Sequence, residues 1–97
     1  MKKESEFQRE LIKELHDILG ECYVLKIDGY QGLPDLLVLY KDKWATLECK
    51  RSASAAHQVN QDIHVKRMDG MGFSRFIFPE NKEEVLNELC ESFGVSR

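Results

Sequence analysis

No apolar stretch of this sequence approaches the roughly 20 residues that a bilayer requires, and its opening, MKKESEFQRE, holds no apolar segment of the kind that begins a secretory signal. A membrane protein or an exported one is therefore not expected, and the cytoplasm is the expected location. Cysteine is sparse. Cys22, Cys49 and Cys90 are odd in number, widely spaced and without a C-x-x-C pair, which argues against a disulfide scaffold or a thiolate zinc site and leaves them as reduced core residues. Repeats, low-complexity segments and interdomain linkers are missing, so nothing divides the chain. A surplus of positive charge is missing too: the net charge is −3 and the pI about 5.6, whereas a dedicated nucleic-acid binder usually carries a broad basic surface. That absence weighs less if carboxylates form a metal site, because a bound divalent cation reverses the local sign of the charge.

What is present is the mixture of an ordinary folded domain, with 32% charged and 42% hydrophobic residues in a chain of 97. One domain spanning 1–97 is expected. Phe7, Leu11, Ile12, Leu15, Ile18 and Leu19 recur at helical spacing between Glu4 and Leu19, with Gly20 as a stop. Cys22 to Asp28 alternates as a strand, and Gly29 to Pro34 is a glycine-punctuated loop. Asp35 to Tyr40 is almost wholly apolar after its first residue, which predicts a strand covered on both faces. After a polar turn at Lys41 to Lys43, Trp44 to Arg51 reads as its hairpin partner. Ser52 to His57 is a loop, and Val59 to Met68 carries a helical pattern through Val59, Ile63 and Met68. Phe73 to Phe78 is another strand, closed by Pro79, and Asn81 caps a last helix that buries Val85, Leu86, Leu89, Cys90 and Phe93. The expected order is α-β-β-β-α-β-α, an α/β domain.

The chemistry-bearing residues lie on the central hairpin. Asp35 opens an apolar strand straight after a proline, and alternation in WATLECKR puts Thr46, Glu48 and Lys50 on one face, with Ala45, Leu47 and Cys49 on the other. Burying a lone carboxylate costs several kcal/mol. A divalent cation between Asp35 and Glu48 removes that cost, and hard carboxylate oxygens suit Mg²⁺ or Mn²⁺. A metal held by Asp35, Glu48 and the Cys49 carbonyl acidifies water and polarises a phosphoryl oxygen, while Lys50 stabilises the charge developing on the phosphate: the elements of phosphodiester hydrolysis. The plainer alternative is a solvated strand face for Glu48 and Lys50 and a turn position for Asp35, since E-x-K in a strand is common.

Gly32-Leu33-Pro34-Asp35, followed after a hairpin by Glu48-Cys49-Lys50, resembles the PD-(D/E)XK nuclease motif, and the order of elements is similar to that superfamily's core. The small stand-alone VRR-NUC-like proteins of phages and bacteria are the branch it resembles, from about Glu4 to Phe93. The resemblance implies a restriction-endonuclease-like αβββαβ core with a mixed central sheet and a C-terminal helix. It also implies a glutamate on the first helix and a glutamine after the lysine.

For the glutamate, Glu4 shares a helical stripe with Phe7, Leu11 and Leu15, and Glu4-x-x-Phe7-Gln8 resembles the family's opening, with Gln8 in support; Glu6 is the alternative. For the glutamine, Asn60-Gln61 resembles the family's turn, although Val59 stands where proline is usual; Gln58 competes with Gln61. His57 and His64 read as surface residues. Arg51 and Lys66 flank the centre and are the expected phosphate contacts. The resemblance implies a Mg²⁺- or Mn²⁺-dependent DNA endonuclease, acting as a homodimer on branched DNA of the Holliday-junction type in a bacterial or phage-infected cell. Catalytic residues would be Asp35, Glu48, Lys50, Gln61 and Glu4, and metal ligands Asp35, Glu48, Cys49 and Glu4. The alternative is a catalytically inactive nucleic-acid-binding module, and behind it stands an adaptor with no nucleic-acid role, which the acidic pI favours.

Overall fold

A computed structural model describes residues 3–97. Met1 and Lys2, the first residues of the expected domain, lie outside them. The elements are α1 (Glu4–Leu19), β1 (Tyr23–Lys26), β2 (Leu36–Tyr40), β3 (Lys43–Cys49), α2 (Gln61–Met71), β4 (Phe73–Ile77) and α3 (Lys82–Phe93). Type and order are as the sequence predicts. Among the described residues no helix is long and apolar enough to cross a membrane.

The strands form one mixed sheet in the order β1-β2-β3-β4, antiparallel except for the parallel pair β3-β4. The β2-β3 turn is only Lys41-Asp42, because Lys43 already pairs with Tyr40. Lys41 takes the left-handed conformation, φ 54°, that a tight two-residue hairpin demands. The parallel return to β4 requires a crossover, which α2 supplies.

One face of the sheet carries the main core. Phe7, Leu11, Leu15 and Leu19 of α1 and Val85, Leu86, Leu89 and Phe93 of α3 cluster with Leu36, Val38, Ala45, Leu47, Cys49, Phe73 and Ile77. Gly20 ends α1 at φ 73°, a conformation glycine adopts at little cost, and its N–H donates to the His16 carbonyl. On the opposite face α2 packs mainly over β4 and β3, where Thr46 Oγ1 meets Ser74 Oγ at 2.7 Å and Met68 Sδ at 3.6 Å. Residues 45–50 are thus buried on both faces, and the polar side chains of Thr46, Glu48 and Lys50 lie inside the protein.

Three expectations need correction. β2 is covered on one face only: Leu39 is exposed beside Tyr23 and Leu25 of the edge strand, because α2 does not reach that half of the sheet. The first strand is shorter than Cys22 to Asp28, although Ile27 still donates to the Asp35 carbonyl at 2.8 Å. The second helix starts at Gln61, not Val59, and runs to Met71. Val59 and Ile63, read as its apolar stripe, are 88% and 47% exposed, while Gln61 and Val65 are buried. The polar cluster beneath the helix selects Gln61, which can bond to it, over an aliphatic side chain, which cannot. All three cysteines are free; Cys49 and Cys90 are buried and Cys22 half-buried.

The correction to α2 is measurable. Val59→Ala should change unfolding free energy by less than about 0.5 kcal/mol, as surface substitutions do, whereas Val65→Ala should lower it by about 2 kcal/mol through lost burial and a residual void. Urea denaturation of both variants compares them directly. The reverse order would restore the sequence-based stripe.

Candidate active site

The site forms where the β2-β3 hairpin opens. Leu36 pairs with Leu47, so the next step along the antiparallel register sets Asp35 beside Glu48. Asp35 Oδ2 accepts the Cys49 backbone N–H at 3.0 Å, which holds the carboxyl at the mouth of the hairpin. Beyond Cys49 the chain stays in line, because the Lys50 N–H donates to the Ile77 carbonyl at 2.9 Å, and Lys50 therefore emerges on the same side as Glu48.

Glu48 is only 2% exposed. Its Oε2 accepts from Gln61 Nε2 at 2.8 Å and stands 3.6 Å from the Lys50 ammonium. Its Oε1 has no partner, alone among the buried side-chain nitrogen and oxygen atoms of the described residues. Lys50 Nζ donates to Gln61 Oε1 at 2.7 Å and to the Ala56 carbonyl at 3.2 Å. Gln61 bridges the charged pair, with its amide nitrogen to the carboxylate and its oxygen to the ammonium. The Gln58 backbone N–H adds a second bond to that oxygen, at 3.0 Å.

Charge repulsion within the site is substantial. Burial first, then Asp35, pushes the Glu48 carboxyl up to about 7, with Lys50 pulling the other way and Glu4 adding to the rise. Asp35 is raised mainly by burial and held back by the Cys49 N–H and Lys50. Glu4 lies on the surface at the start of α1, yet it too is raised, by desolvation and then by Asp35, against the pull of Lys50 and Arg51. The Cys49 thiol is raised as well, by burial and by Asp35 and Glu48; a hydrogen bond with Gln8 opposes this.

The sequence-derived residues divide accordingly. Asp35, Glu48, Cys49, Lys50 and Gln61 come together, and Glu4 and Arg51 lie within electrostatic reach. Gln8 of α1 reaches Cys49. Gln58 contributes its backbone, and its side chain is exposed. Lys66 is exposed on α2. His57 is engaged elsewhere, at 3.0 Å from Asp62 Oδ1 and stacked on Phe76. Sequence reasoning missed the Ala56 carbonyl, a backbone acceptor that no side-chain pattern announces.

A divalent cation fits the donor chemistry at this point. The unpartnered Glu48 oxygen lies beside a second carboxylate, and every available donor is a hard oxygen. Among the described residues no three His, Cys, Asp or Glu side chains are gathered into a ready metal-binding group, and Glu4 interacts with Asp35 and Glu48 through charge. Of the groups described, Asp35 and Glu48 supply the two carboxylates that such a cation would take. No protein-family model matches the chain, and no curated protein matches it significantly.

The raised Glu48 carboxyl sets a direction for stability. The unfolded chain loses this proton near the ordinary value of 4.5 and the folded protein near 7, so its contribution is fully present below about 4.5 and is lost as pH rises through about 7. Metal-free protein should lose about 3 kcal/mol from this group between those limits. Glu48→Gln should flatten that fall and be the more stable of the two at pH 8, by chemical denaturation in the presence of chelator. Parallel pH profiles for the two proteins would show that Glu48 is ionised at no cost.

Proposed function

We propose that this protein is a divalent-metal-dependent DNA endonuclease of the PD-(D/E)XK type, similar to the VRR-NUC-like branch, with the restriction-endonuclease-like αβββαβ core. The observation that carries the reading is the buried Glu48 carboxylate with one unpartnered oxygen, set beside Asp35 and wired to Lys50 through Gln61. A protein that only binds or bridges partners gains nothing from such a cluster, which costs stability whenever the metal is absent.

Mg²⁺ or Mn²⁺, when bound by Asp35, Glu48 and the Cys49 carbonyl, would supply Lewis acidity at the scissile phosphate and a readily deprotonated water. The protein's own groups do the rest. Gln61 and the Ala56 carbonyl hold the Lys50 ammonium at a fixed place, so its charge faces the phosphate without reorganisation as negative charge develops. The same Gln61 fixes the rotamer of Glu48 by donating to Oε2, which leaves Oε1 free to ligate. Glu4, at the rim, adds negative charge that favours cation entry, and Arg51 offsets it where the backbone of the substrate would pass.

Two variants separate these roles. Glu48→Gln should abolish Mg²⁺-dependent cleavage and weaken metal binding by calorimetry, while Lys50→Ala should slow cleavage by about 10²–10³-fold, as loss of one charge-stabilising donor does, with metal affinity unchanged. Full activity in Glu48→Gln would dismiss the centre. Loss of metal binding in Lys50→Ala would make the lysine an organiser of the site.

The substrate we favour is branched DNA cut by a homodimer. A chain with net charge −3 attracts an unbranched duplex weakly at long range. Two copies double the local contacts and fix the distance between two centres. The exposed Tyr23, Leu25 and Leu39 on the uncovered half of the sheet provide apolar surface for such an association. Sedimentation equilibrium should give a dimer at micromolar concentration, and a labelled four-way junction should be cut in preference to linear duplex or single strand. A monomer that cuts linear duplex equally well would leave a general nuclease.

A further inference from the structure

A second concavity adjoins the proposed centre, of about 290 Å³ and lined by Gln31, Gly32, His57, Gln58, Val59 and Asn60. Its walls are two loops that lead straight into the site. The loop carrying Gln31 and Gly32 runs into Asp35, and the loop from His57 to Asn60 runs into Gln61. Gly32 locks them together: at φ 84° it packs so closely that a Cβ there would lie 2.8 Å from Asn60 Cβ and 3.3 Å from the His64 ring. One wall is a fixed plane, for the His57 ring stacks on Phe76 with centroids 4.1 Å apart and its Nδ1 is 3.0 Å from Asp62 Oδ1.

The lining combines that plane with three carboxamides, Gln31, Gln58 and Asn60, and the 88%-exposed Val59, and it contains no carboxylate. Carboxamides offer a donor and an acceptor side by side, the pattern that pairs with the edge of a nucleobase. An aromatic plane and an apolar wall accept its faces. The volume is at the lower end of small-ligand sites, about 300 Å³, which suits one flat ring system and excludes a helix or strand.

We propose that this cavity receives one unpaired nucleobase of the strand held at the metal centre. The inference rests on the nucleolytic reading for its substrate and deepens it, since bases free to leave a stack are found at branch points, loops and single strands rather than in an intact duplex. The fixed histidine plane and the loops clamped at Gly32 make the cavity pre-organised, so base entry needs little ordering of the protein.

The test places 2-aminopurine, a fluorescent adenine analogue, at successive positions around the branch point of a four-way junction, with Ca²⁺ replacing Mg²⁺ so that the strands stay intact. Binding of the full chain should change emission strongly at one position. Gln31→Ala/Asn60→Ala should remove the response and weaken junction binding about tenfold, the effect of losing one base-edge contact. Gln31→Ala alone should weaken both partially. Because the response is read on the wild-type protein with Ca²⁺, where no strand is cut, it is scored independently of cleavage, which separates this inference from the proposed reaction. A junction cleaved by the wild type but with no responsive position would overturn the cavity assignment and leave the nuclease. A response unchanged in the double variant would overturn it as well, by locating the base elsewhere.

Discussion

Glu48 holds a carboxylate inside the protein, in the middle of a sheet, where an ionised group is disfavoured by desolvation and by its neighbour Asp35. Much of the local architecture answers that constraint. Gln61 turns its amide inward to donate to the carboxylate, Lys50 folds beside it, and the Ala56 carbonyl and the Gln58 N–H complete the coordination of Lys50 and Gln61. The remaining Glu48 oxygen is left without a partner. Ordinary structural pressure satisfies or removes such an atom, and its persistence in an otherwise completed network is the observation on which the proposed cation rests.

The topology explains why this network sits where it does. β3 is flanked by an antiparallel and a parallel neighbour and covered on both faces, so its backbone is the least mobile support the fold can offer. Asp35 stands one residue before β2 begins and is tied to β3 by the Cys49 N–H. The two carboxylates are therefore positioned by sheet pairing, while Gln61 and the cavity walls come from loops and a helix start. Rigid strands fix the charges, and the loops beside them carry the groups that can vary with substrate.

Period and alternation made much of this legible. The spacing of Phe7, Leu11, Leu15 and Leu19 identifies α1 and its buried stripe, and the alternation of Glu48 and Lys50 around Cys49 places both on one face. Position in the sheet was not legible, because alternation assigns residues to faces without saying what covers each face. Asp35 to Tyr40 looked doubly covered, yet α2 is too narrow to shield β2, and Leu39 remains exposed. Val59 and Ile63 misled for a related reason: a helix lying over polar side chains need not bury its most apolar residues. The Ala56 carbonyl had no side-chain signature to read.

On the proposed reading an acidic chain acts on a polyanion, and its attraction has to be switched on locally. Among the described residues, Glu4, Asp28, Asp35 and Glu48 raise one another while Lys50 and Arg51 oppose them, so with all groups ionised the carboxylates outnumber the cations. One divalent cation reverses that balance at short range, and within the low dielectric created by burial the reversal is strong. On that reading phosphate approach would depend on prior metal occupancy, without the broad basic surface that would draw any duplex. Discrimination would then fall to short-range features: the spacing of two centres in the proposed dimer and the cavity between the loops. A low net charge thus becomes compatible with a selective nuclease, because weak long-range attraction gives those local contacts a larger share of the binding free energy.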